Sequence, residues 1–281
     1  MLDLDHLRGW LGRSETHADH LTPRLAQAFE ATLDLPPRDF APGEPAPLGI
    51  HWCLGNPALP ASALGRDGHP RREGFMPPIP LPRRMWASGE LAFSAPLTVG
   101  PVEKVSTVAG IDFKEGRSGP LLFLTLEHRY VQDGAARVTE RQVLVYREDP
   151  KPGAPQPPPP AAEPGGTVAR TLTPDPVLLF RYSALTFNGH RIHYDQAYAR
   201  EVEGYAGLVV HGPLIATLLL REAAREGEPA SFSFRGLSPL IVGEPLSITI
   251  ERGEGAVRAQ AASGARAVMT ATCFERAREL V

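Results

Sequence analysis

The chain has little cysteine and no long hydrophobic run. Its two cysteines, Cys53 and Cys273, are far apart and do not form the dense framework of a small disulfide-rich secreted domain, so we expect a reducing compartment. No stretch of eighteen consecutive apolar residues occurs that would span a membrane. The N-terminus, MLDLDHLRGWLGRSE, carries acids and lacks the apolar core of a signal peptide. These absences predict a cytoplasmic protein without a membrane partner.

An excess of charge of one sign is also missing. The 29 lysines and arginines against 32 aspartates and glutamates give a formal net charge of −3, which does not favour nucleic acid as a partner. Neither a Walker nor a Rossmann glycine pattern is present. We therefore predict no nucleotide redox site and no cofactor.

Proline, by contrast, is abundant, and its densest segment is KPGAPQPPPPAAEPGG at residues 151–166. Such a segment cannot enter a helix or a sheet interior and favours the extended polyproline II conformation. At about 3.1 Å per residue it would span roughly 50 Å, either as a flexible spacer between independent domains or as a strap across a shared structure. It divides the chain into an N-terminal unit (1–150) and a C-terminal unit (167–281).

An internal echo favours the strap. PLTVG at residues 96–100 and PLIVG at residues 239–243 lie 143 residues apart, about half the chain. Three runs of alternating apolar and polar residues follow each copy, as expected for half-buried antiparallel strands. A repeat of this size predicts a duplicated domain.

Helical segments precede the strands in both halves. LTPRLAQAFEATLDL offers Thr22 as the N-cap and Pro23 as the first helical residue. HGPLIATLLLREAARE opens at Gly212 and is apolar nearly all round, which predicts a buried helix. A buried helix wrapped by a curved antiparallel sheet is a hotdog, so we predict an α+β double hotdog with two such repeats. The main alternative is a four-layer α+β sandwich.

The densest group of reactive side chains is TFNGHRIHYD at residues 186–195. As a metal site it would use His190, His193 and Asp195, with His211 in addition, but His-x-x-His is a loose spacing without cysteine support, and we predict no metal. As a polar loop its groups would satisfy one another and the backbone. As an acid–base site one imidazole would move protons near neutral pH.

The segment after this group favours the acid–base interpretation. It leads into the helix that begins at Gly212, whose first backbone N–H groups lack intrahelical partners and carry the positive end of the helix dipole. An oxyanion placed there would be stabilised. A histidine followed by such a helix start suits enolate chemistry next to a thioester carbonyl.

At this point the sequence resembles the hydratase-2, or MaoC-like, hotdog enzymes, whose motif runs Asp-x-Asn-Pro-x-His, then a Tyr-Ala segment, then His-Gly at the start of the central helix. His193 falls on the catalytic histidine of that family. Tyr198 and Ala199 match the Tyr-Ala positions, and His211 and Gly212 match His-Gly.

The resemblance includes a departure. Asn188 stands where the family has a catalytic aspartate, and His190 and Arg191 replace Asn-Pro. RYSALTFNGHRIHYD is more similar to one branch of the superfamily, the hydroxyacyl-thioester dehydratases type 2 with the mesaconyl-C4-CoA and itaconyl-CoA hydratases. Residues 68–91 and 138–148 of the first half resemble the same branch.

The resemblance implies reversible hydration of an enoyl thioester, or dehydration of a 3-hydroxyacyl thioester, carried by coenzyme A or acyl carrier protein. Mesaconyl-C4-CoA and itaconyl-CoA, which yield citramalyl-CoA, are the candidate substrates. His193 would be the acid–base residue, Asn188 would hold water or orient that histidine, and the Gly212 N–H would bind the oxyanion. Asp195, as tautomer-setting residue or helix cap, and His211 are supporting candidates.

Arginines are the candidate anion-binding residues, because guanidinium binds carboxylates and phosphates well. Arg191 and Arg181 are expected to meet a substrate carboxylate, unless they are surface charges or salt-bridge partners. Arg83 and Arg84, around MPPIPLP, are expected to meet coenzyme A phosphates, unless they pin that proline-rich loop to acidic neighbours.

The first half has no counterpart of NGHRIH. We therefore expect one active site per chain, a first half that binds and supports, and a packed rather than catalytic His51. The alternatives to a hydratase are a hotdog thioesterase and a catalytically degenerate hotdog that binds acyl-CoA. We expect a homodimer.

Overall fold

The alternating runs after the two echoes form strands of one antiparallel sheet. The computed structural model describes residues 2–116, 119–149 and 158–276, and the sheet within these ranges has ten strands. Their order is β1-β3-β4-β5-β2-β7-β10-β9-β8-β6. None of the helices in the same ranges has the length and apolar character needed to cross a membrane.

The first half contributes one side of the sheet and two α-helices. Its elements are α1 (Leu4–Arg8), β1 (Ser14–Leu21), α2 (Pro23–Thr32), β2 (Arg83–Phe93), β3 (Gly100–Gly116), β4 (Gly119–Gln132) and β5 (Ala135–Arg147). The second half contributes the other side. Its elements are β6 (Thr167–Leu172), α3 (Pro176–Thr186), α4 (Gly212–Ala223), β7 (Pro229–Gly236), β8 (Leu246–Arg252), β9 (Ala256–Ser263) and β10 (Arg266–Glu275).

The two halves have the same strand order, read outwards from the central pair β2 and β7. The PLTVG echo leads into β3 and the PLIVG echo leads into β8, which hold equivalent places in the two halves. The duplication expected from the sequence is therefore confirmed as a double hotdog. A single continuous sheet also excludes the four-layer sandwich.

Helix α4 is the buried central helix of the second half. Nine of its twelve residues are buried, and it packs against β7, β8, β9 and β10. Because its sequence is apolar on nearly every side, burial against the sheet is favourable for almost the whole helix surface. The predicted buried helix is confirmed.

Among the described residues of the first half there is no such helix, which corrects the expectation of a central helix in each repeat. The helix predicted at Thr22 forms, but it follows β1 as α3 follows β6, so it is the counterpart of α3. Thr22 and Asp175 cap these two helices in the same way, each before a proline. The place of α4 holds only a 3₁₀ turn, Ile50–Cys53, because Gly55 and the prolines that follow it do not continue a helix.

The proline-rich segment at 151–166 lies between β5 and β6, and residues 151–157 of it lie outside the described residues. The remainder is held against the β9–β10 hairpin. The Ala162 N–H donates to the Ala265 carbonyl at 2.8 Å, and the Ala267 N–H donates to the Pro160 carbonyl at 2.9 Å. This described portion behaves as a strap on the fold rather than as a free spacer.

Aromatic side chains fill the junction between the halves. The Trp86 and Phe234 ring centroids lie 5.6 Å apart, and Trp52 lies 6.0 Å from Phe234. Gly89 of β2 pairs with Phe234 of β7, and a Cβ at Gly89 would stand 2.5 Å from the phenylalanine ring. The junction therefore requires glycine at this position so that the ring can lie flat on the neighbouring strand.

We expect Gly89→Val to lower the free energy of unfolding by about 1–3 kcal/mol, because added atoms in a filled site force neighbouring groups out of place. Urea denaturation measures the change, and Glu90→Ala, on the exposed face of the same strand, is the control. Equal stability of Gly89→Val and the control variant would show that the junction has room to spare.

Candidate active site

Four histidine rings lie in one continuous row where the two halves meet. The His69 and His190 centroids are 4.3 Å apart, and those of His190 and His193 are 5.4 Å apart. His193 stacks on His211 at 3.6 Å with the planes inclined by 20°. Three of these histidines come from the second half and His69 comes from the first half.

His193 is held by the backbone that precedes α4. The short turn Arg191–His193 directs the ring inwards, and its Nδ1 lies 2.7 Å from the Val209 carbonyl oxygen. A carbonyl only accepts hydrogen bonds, so Nδ1 carries the proton and Nε2 keeps its lone pair. Val209 therefore sets the tautomer, which removes that task from Asp195.

Burial lowers the pKa of His193 to about 4, in spite of the hydrogen bond to the Val209 carbonyl. Burial, followed by the charge of Arg84, lowers the pKa of His69 to about 4. The pKa values of His190 and His211 are also lowered, first by burial and then by the neighbouring histidines. The row is accordingly composed of neutral imidazoles at neutral pH.

The Ser183 hydroxyl lies at the end of the row formed by His211. Its Nε2 lies 2.8 Å from Ser183 Oγ on α3, while its buried Nδ1 has no hydrogen-bond partner among the described residues. Ser183 also accepts a hydrogen bond on its carbonyl from the Asn188 N–H at 2.9 Å. The end of α3 thus positions both His211 and the segment that begins at Asn188.

The Asp67 carboxylate lies at the opposite end of the row, beside His69. Asp67 Oδ2 lies 3.0 Å from His69 Nδ1, and Asp67 Oδ1 accepts the His69 backbone N–H at 3.1 Å. Burial raises the pKa of Asp67, but the hydrogen bonds from His69 and the charge of Arg84 hold that pKa below its ordinary value. Asp67 is therefore ionised, and His69 has the proton on Nδ1.

A crossing of two glycines places Asp67 and His69 at the row. Gly68 has φ +87° and approaches Gly189 so closely that a Cβ at Gly68 would lie 2.0 Å from the Gly189 carbonyl oxygen. The Arg191 N–H donates to the Asp67 carbonyl at 2.9 Å beside this crossing. Loop 65–70 of the first half is thereby fixed to the NGHR segment of the second half.

Asn188 uses its side chain to shape the turn before the row. Its Oδ1 accepts the His190 N–H at 2.9 Å. Its Nδ2 has no hydrogen-bond partner within the part of the chain that the structure describes, so both amide N–H donors remain for other groups.

Gly212 lies at the start of α4, directly after His211. Its N–H makes no hydrogen bond to another described residue, and a Cβ at this position would meet nothing within 4 Å. His211, the N-cap, does not cap the helix with its side chain. An N–H without a described partner therefore lies at the start of the helix, in the residue that directly follows His211 of the row.

Arg191 and Asp195 form a pair beside the row. The Arg191 guanidinium contacts Asp195 Oδ2 at 2.7 Å, stacks on the Tyr198 ring at 4.1 Å and donates to the Arg66 carbonyl at 3.1 Å. Asp195 Oδ1 also accepts the Tyr198 N–H, so it caps the next helical turn. The Tyr198 N–H and then Arg191 hold the pKa of Asp195 below its ordinary value.

The other candidate arginines lie in three different environments. Arg83 is buried and pairs with buried Glu203 at 2.6 Å, which joins β2 to the segment before α4. Arg181 is exposed on α3. Arg84 is half-buried, lies near Asp67 and His69, and has no ion-pair partner within 4.0 Å among the described residues.

Asp67, His69 and His190 also offer possible ligand atoms within 4.8 Å of one another. The hydrogen bond between Asp67 and His69 already uses one atom of each side chain, and the Arg84 charge disfavours a cation beside them. We interpret the three as a hydrogen-bonded part of the row and not as metal ligands.

His51 lies away from the row in the first-half core. Its ring packs against Trp52 at 4.5 Å and Tyr130 at 5.2 Å, and burial lowers its pKa to about 3. This placement confirms the expectation of a packed histidine.

Sequence reasoning missed Asp67 and His69. Their segment, GRDGHPRR, lies far from NGHRIH in sequence, and no spacing rule connects the two. The available signal was the sequence Asp-Gly-His-Pro-Arg-Arg at residues 67–72. It lies at the start of the stretch 68–91, which resembles the same enzyme branch.

Comparisons with known proteins agree with the fold and identify the family. The family model for hydroxyacyl-thioester dehydratase type 2 matches residues 49–242, which include all four histidines of the row. The mesaconyl-C(4)-CoA hydratase of Chloroflexus aurantiacus is 47% identical over 239 residues, covering 82% of this chain and 84% of the relative. The mitochondrial hydroxyacyl-thioester dehydratase type 2 of Schizosaccharomyces pombe is 31% identical, covering 72% and 76%.

Solved structures share the architecture at lower identity. A MaoC-like dehydratase from Phytophthora capsici has a TM-score of 0.71 at 14% identity, with 98% of each chain covered. HtdX of Mycobacterium tuberculosis has a TM-score of 0.68 at 18% identity, covering 94% of this chain and all of that one. A further M. tuberculosis protein, described as a double hotdog, has a TM-score of 0.58 at 16% identity, covering 94% and 96%.

The glycine crossing provides a test of the site geometry. We expect Gly68→Ala to lower the free energy of unfolding by about 1–3 kcal/mol more than Gly74→Ala, because its Cβ would collide with the Gly189 carbonyl. Gly74 is the matched control, since it also has positive φ (+72°) but its Cβ would meet open space. Urea denaturation measures both variants, and equal losses would show that the loops do not cross closely.

Proposed function

Because this chain belongs to the hydroxyacyl-thioester dehydratase type 2 family, we propose that it catalyses the reversible addition of water to the α,β double bond of an enoyl thioester. The observation that carries the proposal is the placement of His193. Its neutral ring keeps the Nε2 lone pair, and it stacks on the residue that immediately precedes the free Gly212 N–H. A proton acceptor and an oxyanion donor therefore lie side by side.

The reaction follows from these two groups. His193 Nε2 takes a proton from water as the water oxygen bonds to Cβ. The electron pair of the double bond moves towards the thioester oxygen, where the Gly212 N–H and the α4 dipole stabilise the negative charge. The protonated His193 then gives the proton to Cα, which completes the addition and restores the neutral ring.

Asn188 has a supporting role in this proposal. An amide does not titrate, so it cannot act as a general base, but its unpaired Nδ2 can donate to the attacking water. His211 supports His193 by stacking on it, and Ser183 fixes His211 in turn.

The arginine roles differ from one another. Arg84, near the row and without an ion-pair partner among the described residues, is our candidate for an anionic group of the substrate. Arg191 and Arg83 are already engaged by Asp195 and Glu203, so we assign them to holding the site together. Arg181, on the exposed side of α3, remains a sequence prediction.

For the acyl group, the similarity to the mesaconyl-C(4)-CoA hydratase supports an unsaturated dicarboxylic acyl-CoA as the first substrate to assay. Itaconyl-CoA, the choice of coenzyme A or acyl carrier protein, the homodimer and the cytoplasmic location stay predictions. The division into a supporting first half and a catalytic second half also stays a proposal, with His69 as a contribution of the first half to the row.

We expect His193→Ala to lower the rate of mesaconyl-C4-CoA hydration by about 10²–10⁴-fold, the usual contribution of general acid–base catalysis. Loss of enoyl-thioester absorbance measures hydration, and a thiol reagent run in parallel detects thioester hydrolysis. His20→Ala, at an exposed histidine of β1, is the control.

Three outcomes would contradict the proposal. Activity of His193→Ala within a few-fold of wild type would remove the role of His193. Release of free thiol by the wild-type protein without hydration would indicate a thioesterase, and binding of the CoA ester with neither reaction would indicate a non-catalytic protein.

The pH dependence is a second test. A base with the low pKa of His193 is neutral above about pH 4 and charged only below it, so kcat/KM for hydration should stay level from pH 8 down to about pH 5.5. A solvated imidazole, with a pKa near 6.5, would lose most of its activity over the same interval. A fall in kcat/KM with its midpoint between pH 6 and 7 would contradict a buried neutral His193.

A further inference from the structure

A buried histidine that accepts a proton needs a negative charge near it. In the proposed mechanism, which the following inference takes as its premise, His193 becomes an imidazolium inside a site that is buried enough to disfavour that charge. The MaoC-like motif that this sequence resembles has an aspartate near the histidine, whereas the residue at that position here is the neutral Asn188. The oxyanion that forms on the substrate supplies one negative charge, and a fixed carboxylate elsewhere in the chain would lower the cost of the imidazolium further.

Two carboxylates near the row are already engaged with cations. Asp195 is bound by Arg191 and by the Tyr198 N–H. Glu203 is bound by Arg83 in a buried pair. Their charges are therefore largely neutralised by their partners and offer little to a proton on His193.

Asp67 differs from both. Its carboxylate contacts the backbone N–H and the ring of His69, and no Lys or Arg of the described residues forms an ion pair with it. Its single side-chain partner is the first ring of the row that leads through His190 to His193. Of these three carboxylates, Asp67 is therefore the one that contacts a histidine of the row and has no arginine or lysine partner among the described residues.

We propose that Asp67, acting through His69 and His190, is the counter-ion for the imidazolium that His193 forms during hydration, and that it takes over the electrostatic task of the carboxylate absent at Asn188. Asp67 and His69 are positioning residues in this scheme, because neither has to touch the substrate. The first half of the chain thereby supplies the negative charge that the motif of the second half lacks.

The surroundings of Asp67 are compatible with this role. The charged and titratable groups near Asp67, His69 and His190 include Arg84, Arg72, Arg66, Arg191, Tyr198, His193 and His211. The positive charge of Arg84 helps to keep Asp67 ionised without consuming it in an ion pair. The Asp67 charge favours the protonated form of His190, the ring next to His193, and in a buried site a charge acts more strongly than it would in solvent.

Moving the carboxylate from position 67 to position 188 by mutation tests the proposal. Hydration of mesaconyl-C4-CoA is measured for wild type, Asp67→Asn, Asn188→Asp and the double variant. Asp67→Asn should lower kcat by about 10–100-fold with KM within about three-fold, since a nearby charge shifts a protonation equilibrium by one to three pKa units. Asn188→Asp in the Asp67→Asn background should restore at least about ten-fold, because it returns a carboxylate to the site.

Controls separate this effect from loss of structure. Asp133→Asn removes an exposed carboxylate of the first half that pairs with Arg137 at the turn between β4 and β5, and it should leave kcat unchanged. Thermal unfolding midpoints are measured for every variant. Where Asp67→Asn is unfolded, Asp67→Ser, which keeps an oxygen acceptor for His69 without the charge, is assayed in its place with the same expectation.

The outcomes distinguish this inference from the proposed function. Asp67→Asn with wild-type kcat, or with a loss that Asn188→Asp does not repair, overturns the counter-ion role while the hydratase function stands. A loss of activity on adding EDTA to the wild type, reversed by Zn²⁺, would instead make Asp67, His69 and His190 metal ligands and also overturn it. Wild-type protein that does not hydrate any enoyl thioester overturns the proposed function itself.

Discussion

Antiparallel pairing of β2 with β7 is the interaction on which the rest of the structure depends. It joins two half-sheets into one and sets the first-half loops against the segment that leads into α4. The buried pair of Arg83 with Glu203 and the crossing of Gly68 with Gly189 both lie where this pairing brings the halves together. The histidine row is a product of the same join, because one of its four rings comes from the other half.

Much of the fold was predictable because its signals are local. The alternating runs, the echo before β3 and β8, and the apolar helix at Gly212 each depend on a few consecutive residues. That the described part of the first half lacks a central helix was not predictable, because the capped helix at Thr22 gives the local signal of a helix without showing its place in the fold. Only the order of elements showed that it corresponds to α3.

Some residues of the candidate site were likewise predictable from the sequence, and others were not. His193, Asn188 and Gly212 could be predicted as site candidates because they share one motif with its known spacing. The tautomer of His193 was not predictable, because it depends on the Val209 carbonyl, and Asp195 was the more visible partner in the sequence. Asp67 and His69 were missed because a loop crossing more than a hundred residues distant brings them to the row.

The two repeats are not identical, because only the second has a central helix among the described residues, and this inequality affects how the chain can evolve. Two identical subunits would carry every substitution twice, so a loop could not serve one site without altering the other. Fusion of both repeats into one gene lifts that symmetry. The 65–70 loop and the NGHR segment then become a single inherited unit, and neither repeat can be exchanged for that of a distant relative without its counterpart.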